Sequence, residues 1–108
     1  MHCLTVIYPT PDDPAHFKAH YEEKHLKLAA RLPGMIAMHH AYPAAVSPGD
    51  VFCIFQAFFP DAETFGAAMN SEEGHEVSAD VPNYSPKGAQ VTHFATDLPV
   101  KETAGATS

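Results

Sequence analysis

The sequence predicts one α+β domain whose elements run β-α-β-β-α-β, with the helices on one face of an antiparallel sheet. Three observations carry this. Residues 2–8, 35–42, 51–59 and 89–96 are apolar or alternating runs of strand length. Residues 13–34 have helical period, with Phe17, Tyr21, Leu28 and Leu32 on one face. A shorter helical signal follows Pro60-Asp61, which completes the order of a ferredoxin-like fold.

The first strand closes at Pro9-Thr10-Pro11. Asp13 then reads as an N-cap and Pro14 as the first helical residue, while Pro33 and Gly34 stop the helix after about five turns. Residues 43–50, with two prolines and a glycine, form a loop between the second and third strands. Asp61 caps a short helix through Phe65, Ala68 and Met69 that ends near Asn70, and Ser71 starts a further turn through Val77. Residues 80–88, rich in proline and polar groups, read as irregular before the last strand. Residues 1–97 are thus one domain, and 98–108 a flexible tail without the composition to pack.

The third strand, VFCIFQAFF, is apolar on both alternating sides apart from Gln56. A single helical layer covers one side of a sheet, so the other side needs cover that a chain of 108 residues does not supply. A homodimer that stacks the two sheet faces is the economical solution.

Thirteen acidic residues against six basic ones give a net charge of −7, without a Lys/Arg cluster, which argues against nucleic acid and anionic membranes as partners. No apolar run approaches the roughly 18 residues that cross a bilayer, and MHCLTVIYP lacks a signal-like pattern, so a cytoplasmic location is expected. Cys3 and Cys53 sit alone in strand-like segments and read as buried thiols rather than a bridge. Glu23, Lys27 and Arg31 recur on the solvated side of the helix. His16 and His20, four apart, fall toward the polar flank, and His39 and His40 point to opposite faces, so no metal site is expected. His40 or His93 joins a cavity only if its face of the sheet turns toward the helices, which periodicity alone does not decide.

Candidate chemistry centres on His25, which helical phase turns inward. A buried imidazole needs partners for its ring nitrogens, so it is either a satisfied core histidine or a group presented to a ligand. Tyr21, one turn away, supplies a phenol on the same face, a pair suited to proton transfer and to stabilising charge on oxygen; packing with one hydrogen bond is the plain alternative. Asp80, Asn83 and Tyr84 precede the last strand, at the mouth of a cleft between sheet and helix. Asp80 either orients His25 by binding one ring nitrogen or, with Asn83, serves turn hydrogen bonds around Pro82.

Tyr8-Pro9 at the end of strand one, the spacing Phe17-x-x-x-Tyr21-x-x-x-His25-x-x-Leu28, Leu32-Pro33-Gly34, and Ser71-Glu72-Glu73-Gly74 ahead of Asp80 together resemble the EthD family, named for bacterial ethyl tert-butyl ether degradation. The resemblance spans roughly residues 4–94. One departure is Lys27, where many members carry proline, and the helix is therefore expected to continue without a kink. The resemblance implies a ferredoxin-like subunit that pairs with a second copy into a dimeric α/β barrel, with a cleft between sheet and helices in each subunit. Members are described as reductases or oxidoreductases, and related barrels include cofactor-free monooxygenases, lactone isomerases, decarboxylases and haem proteins. The resulting expectation is a small dimeric enzyme for an apolar or aromatic metabolite, of oxidoreductase or isomerase type and without a tightly held cofactor. His25, Tyr21 and Asp80 form its catalytic group, and Tyr8, Phe17, Asn83 and Tyr84 contact the ligand. A noncatalytic ligand-binding or accessory protein using the same cleft is the rival reading, and haem ligation by the inward histidine a third.

Overall fold

Alternation along β1 (His2–Tyr8) decides which face of the sheet the helices cover. In the computed structural model, which describes residues 1–97, Leu4, Val6 and Tyr8 are buried on that face, beside Cys53, Phe55, Ala57 and Phe59 of β3 (Cys53–Phe59). β2 (Ala37–Ala41) and β4 (Gln90–Ala95) complete a sheet in the order β2-β3-β1-β4, every neighbouring pair antiparallel. This is the ferredoxin-like arrangement expected from the sequence. The proposed tail, 98–108, lies outside the described residues.

The first helical run differs from a continuous α-helix. α1 (Pro14–His20) opens on Asp13, whose carboxylate accepts the His16 N–H at 3.0 Å, but Tyr21–His25 then form a π-helical turn before α2 (Leu26–Ala29). The π turn moves later residues around the axis. Leu28, expected in the apolar stripe, is only half-buried, whereas Ala29 is fully buried and Leu26 packs on the core. The run also ends before Pro33: the Leu32 N–H tightens onto the Ala29 carbonyl at 3.1 Å, and Gly34 makes the turn at φ +79°.

α3 (Ala62–Met69) is capped by Asp61, which accepts the Thr64 N–H at 2.7 Å. α4 (Glu72–Tyr84) is capped by Ser71, whose Oγ accepts the Gly74 N–H at 3.1 Å. Gly74 sits hard against the end of α3, where a Cβ would collide with the Ala68 and Met69 carbonyl oxygens. Of the stretch 80–88 expected to be irregular, residues 80–84 are the last turn of α4, which runs through Pro82, and residues 85–88 are irregular. Val77 and Val81 pack on the core and Tyr84 is fully buried, an i, i+4, i+7 anchor that holds the helix together. Pro82 itself is exposed, and the bond it fails to donate to the Ser78 carbonyl is lost beside solvent.

Among the described residues no helix covers the other face of the sheet. Across its middle runs a polar row from all four strands: His39 donates from Nε2 to Gln56 Oε1 at 2.8 Å, Gln56 Nε2 to Thr5 Oγ1 at 3.1 Å, and Thr92 Oγ1 to the Thr5 carbonyl at 3.2 Å. Cys3, Phe58 and Phe94 flank the row on one side, and Ile7 and Ile54 on the other. Cys3 belongs to this face and Cys53 to the helical one, so their thiols point to opposite sides of the sheet and stay free.

Candidate active site

α4 crosses the first helical run so that Asp80 meets it at the π turn. His25 Nδ1 lies 2.9 Å from Asp80 Oδ2, and His20 Nε2 lies 2.9 Å from Oδ1 and 3.1 Å from Oδ2 of the same carboxylate. Asn83 Nδ2 donates a third hydrogen bond to Oδ1 at 2.9 Å. In an α-helix of 3.6 residues per turn, residues five apart point about 140° from one another. The π turn, with its i to i+5 bonding, brings positions 20 and 25 into line over one carboxylate.

Burial pushes the Asp80 carboxyl up, but the hydrogen bonds from Asn83, His20 and His25 outweigh it and hold the group below the usual carboxylate range. Asp80 is therefore an anion at neutral pH and accepts from both rings. That assigns the tautomers. His25 carries its proton on Nδ1, leaving a bare lone pair on Nε2, and His20 carries its proton on Nε2. Burial is the main influence on His25 and lowers its proton affinity; Asp80 opposes this and His20 adds to it, with a net lowering. His25 is thus a neutral imidazole.

The ring lines a cavity of about 80 Å³ between the sheet and α4. Leu4, Val6 and Tyr8 of β1, Phe55 of β3 and Val91 of β4 form the sheet side, Val77, Ser78 and Val81 the helical side, and Leu32, Met69 and Ala89 the ends. Nε2 of His25 has no hydrogen-bond partner among the described residues. The apolar lining suits a small apolar group, and a longer ligand must extend past Val91, which is 60% exposed at the β4 edge.

Aromatic rings back the imidazole. Tyr21 stacks on it at 5.5 Å and 17°, and the Tyr84 ring centre lies 4.6 Å away. Tyr8 and Tyr84 share a buried hydroxyl–hydroxyl bond of 2.7 Å. Burial raises all three phenols, Tyr8 to about 12 and Tyr21 and Tyr84 further, so each stays protonated at neutral pH. Burial likewise lifts the Cys53 thiol to about 11, which removes it as a nucleophile at neutral pH.

Of the residues singled out from sequence, His25, Asp80, Tyr84, Tyr21, Tyr8 and Phe17 converge, but not all at the cavity. Tyr21 is fully buried behind His25, its hydroxyl without a partner among the described residues, rather than facing the cleft. Phe17 is fully buried against Tyr8, Phe52 and Tyr84 and forms no part of the wall. Asn83 and Tyr84 do not overhang a mouth, because they belong to α4. Asn83 braces Asp80 and accepts the His16 Nε2–H on its carbonyl at 3.0 Å. His20, read from sequence as flank, is part of the cluster. The α4 wall has no local signal in the sequence either, because Pro82 reads as a helix break. His40 is exposed at the edge of Tyr21, and His93 bonds His2 at 2.9 Å against Phe65, so neither reaches the cavity. Among the described residues no three His, Cys, Asp or Glu side chains are grouped to hold a metal, and no helix is long and apolar enough to cross a membrane.

Comparison with known proteins gives concordant results. The family model described as the EthD domain matches residues 10–88. An uncharacterised 11.0 kDa protein from the thcB-thcC intergenic region of Rhodococcus erythropolis is 32% identical over 99 residues, covering 90% of this chain and 94% of the relative. Among solved structures, an ethyl tert-butyl ether degradation family protein from Bacillus halodurans superposes with a TM-score of 0.82 at 21% identity, over 90% of this chain and 99% of its own. SnoaB, a cofactor-independent oxygenase from Streptomyces nogalater, does so with a TM-score of 0.65 at 16% identity, over 91% and 96%. At these identities the likeness of the two structures is one of fold.

Proposed function

The chain belongs to the EthD family, and from that premise we propose that it is a small enzyme acting on an apolar or aromatic metabolite, with His25 as general acid/base. One observation carries the reading: an imidazole whose Nδ1–H is tied to a carboxylate lines an apolar cavity, with Nε2 free of hydrogen-bond partners among the described residues. A neutral imidazole held in this tautomer takes a proton from an activated C–H or O–H of a bound molecule, and Asp80 stabilises the imidazolium that results. Returning that proton to another carbon gives isomerase-type chemistry. With dissolved dioxygen as co-substrate and oxidant, the carbanion's electron pair forms a carbon–oxygen bond and the resulting peroxide takes back the proton held by His25, which is oxidoreductase chemistry, a direction supported by the cofactor-independent oxygenase among the structural neighbours. Ser78 supplies a wall hydroxyl for the substrate, Tyr8, its hydroxyl tied to Tyr84, contributes to the wall, and Tyr21 and Tyr84 hold the ring in place. Two copies join through their open sheet faces, where exposed Phe94 and half-buried Phe58, Ile54 and Ile7 surround the polar row.

The test begins with a thermal-shift screen of small aromatic and lactone compounds, followed by product analysis by mass spectrometry. His25→Asn puts an amide N–H where Nδ1 stood and so keeps a hydrogen bond toward Asp80, but removes the base. Ligand should still stabilise the variant while turnover falls at least about 100-fold. Undiminished turnover in His25→Asn defeats the assignment. The scarcity of polar groups in the wall favours a second reading, a noncatalytic binding protein, which gains if native protein returns its ligand unaltered after long incubation.

A further inference from the structure

We propose that His20 is a positioning residue of this site, which competes with His25 for Asp80 and thereby keeps the inner imidazole unprotonated. The inference rests on reading His25 as the site's base. Two imidazoles hold one carboxylate at 2.9 Å each, and a single negative charge compensates only one imidazolium. The two rings are not equivalent. His20 is 15% exposed and His25 is 4% exposed, so water reaches the outer ring and solvates its charged form.

An imidazolium at position 20 takes up the Asp80 charge in an ion pair, so a second positive charge on His25 meets a neutralised partner in a dry setting. The lone pair on His25 Nε2 survives to lower pH than an isolated His–Asp couple would allow. Among the described residues Asp80 is the one charged side chain that forms a hydrogen bond or salt bridge with either ring. Tyr84 of α4 stacks on His20 at 5.6 Å and 22°, and Tyr21 and Tyr84 flank His25, all as neutral phenols. Tyr8 of β1, the phenol across the cavity, is neutral too. On the same helical run His16 lies 6.2 Å from His20, with its Nε2–H given to the Asn83 carbonyl. Asn83 keeps Asp80 in place without adding charge. The π turn makes the competition possible, since in a plain α-helix the two rings would diverge.

The experiment is a ¹⁵N NMR titration of the imidazoles in the full chain from pH 8 to 4. It compares native protein with His20→Gln, which retains a neutral N–H donor of similar reach. Expected is a midpoint for His25 higher by about one pH unit in His20→Gln, a tenfold gain in proton affinity, with its Nδ1–H tautomer retained. A His25 midpoint within about 0.2 unit of native overturns the inference, because a merely structural contact does not move it. The native titration alone decides the matter if the variant does not fold. Each ring's curve should carry an inflection at the other's midpoint, and two independent single-site curves refute the coupling. Neither readout requires turnover, so inactive protein would count against the proposed catalysis and leave this result standing.

Discussion

Asp80→Asn separates the electrostatic part of the site from its shape. The amide is isosteric with the carboxylate but offers one acceptor oxygen and one NH₂ in place of two acceptors. Three donors, from His20, His25 and Asn83, now converge on it, so at least one donor–donor contact must break or turn. A hydrogen bond to a charged acceptor contributes about 1.5–3 kcal/mol, and one of three is forfeited while the others weaken to neutral bonds. At 11% exposure Asp80 is largely but not wholly shielded from water, so the net loss should be about 2 kcal/mol, on the order of 10 °C in Tm for a domain of this size. His25 relieves the clash by moving its proton to Nε2, which turns the base facing the cavity into a donor. Once a substrate is in hand, turnover should fall about 10²- to 10⁴-fold. Urea unfolding gives the stability and imidazole ¹⁵N shifts give the tautomer. A variant within about 0.5 kcal/mol of native that keeps its Nδ1–H tautomer would refute the assignment of Asp80 as a charged acceptor for both rings.

Three further outcomes are expected. Gly74→Ala should lower stability by about 1–3 kcal/mol in thermal unfolding despite alanine's better helix propensity, because the new methyl meets the α3 carbonyls; an unchanged Tm would mean that α3 and α4 separate freely. Because folding lowers the proton affinity of His25, the unfolded chain binds more protons just below the ordinary imidazole range. Stability should therefore fall as pH drops from about 6.5 toward 5, by at most about 1.4 kcal/mol per unit from this group. Asp80, held low in the fold, adds a second loss only below about pH 4, and a stability flat from pH 7 to 5 would contradict a buried neutral His25. Sedimentation velocity should report a dimer for the native chain and a monomer for Phe58→Glu, which sets a charge beside the polar row of the open sheet face; a folded dimeric variant would place the interface elsewhere.

The element order, the sheet and the caps were legible in the chain because each rests on local chemistry. Asp13, Asp61 and Ser71 bind backbone N–H groups three residues ahead, and alternation along β1 and β3 fixes their buried faces without reference to distant residues. His25 was legible for the same reason, since it lies one turn beyond Tyr21 on the apolar side. The reach of α4 was not. Pro82 is locally a breaker, and only the burial of Tyr84 and the packing of Val77 and Val81 on the core carry the helix through it. The place of His20 was hidden too, because a period of 3.6 residues sends it to the flank and nothing local announces a π turn. Sequence by itself thus determined the topology and the inward imidazole. The tertiary structure decided how that imidazole is held, since Asp80 is 55 residues from His25 along the chain and only the crossing of two helices brings them together.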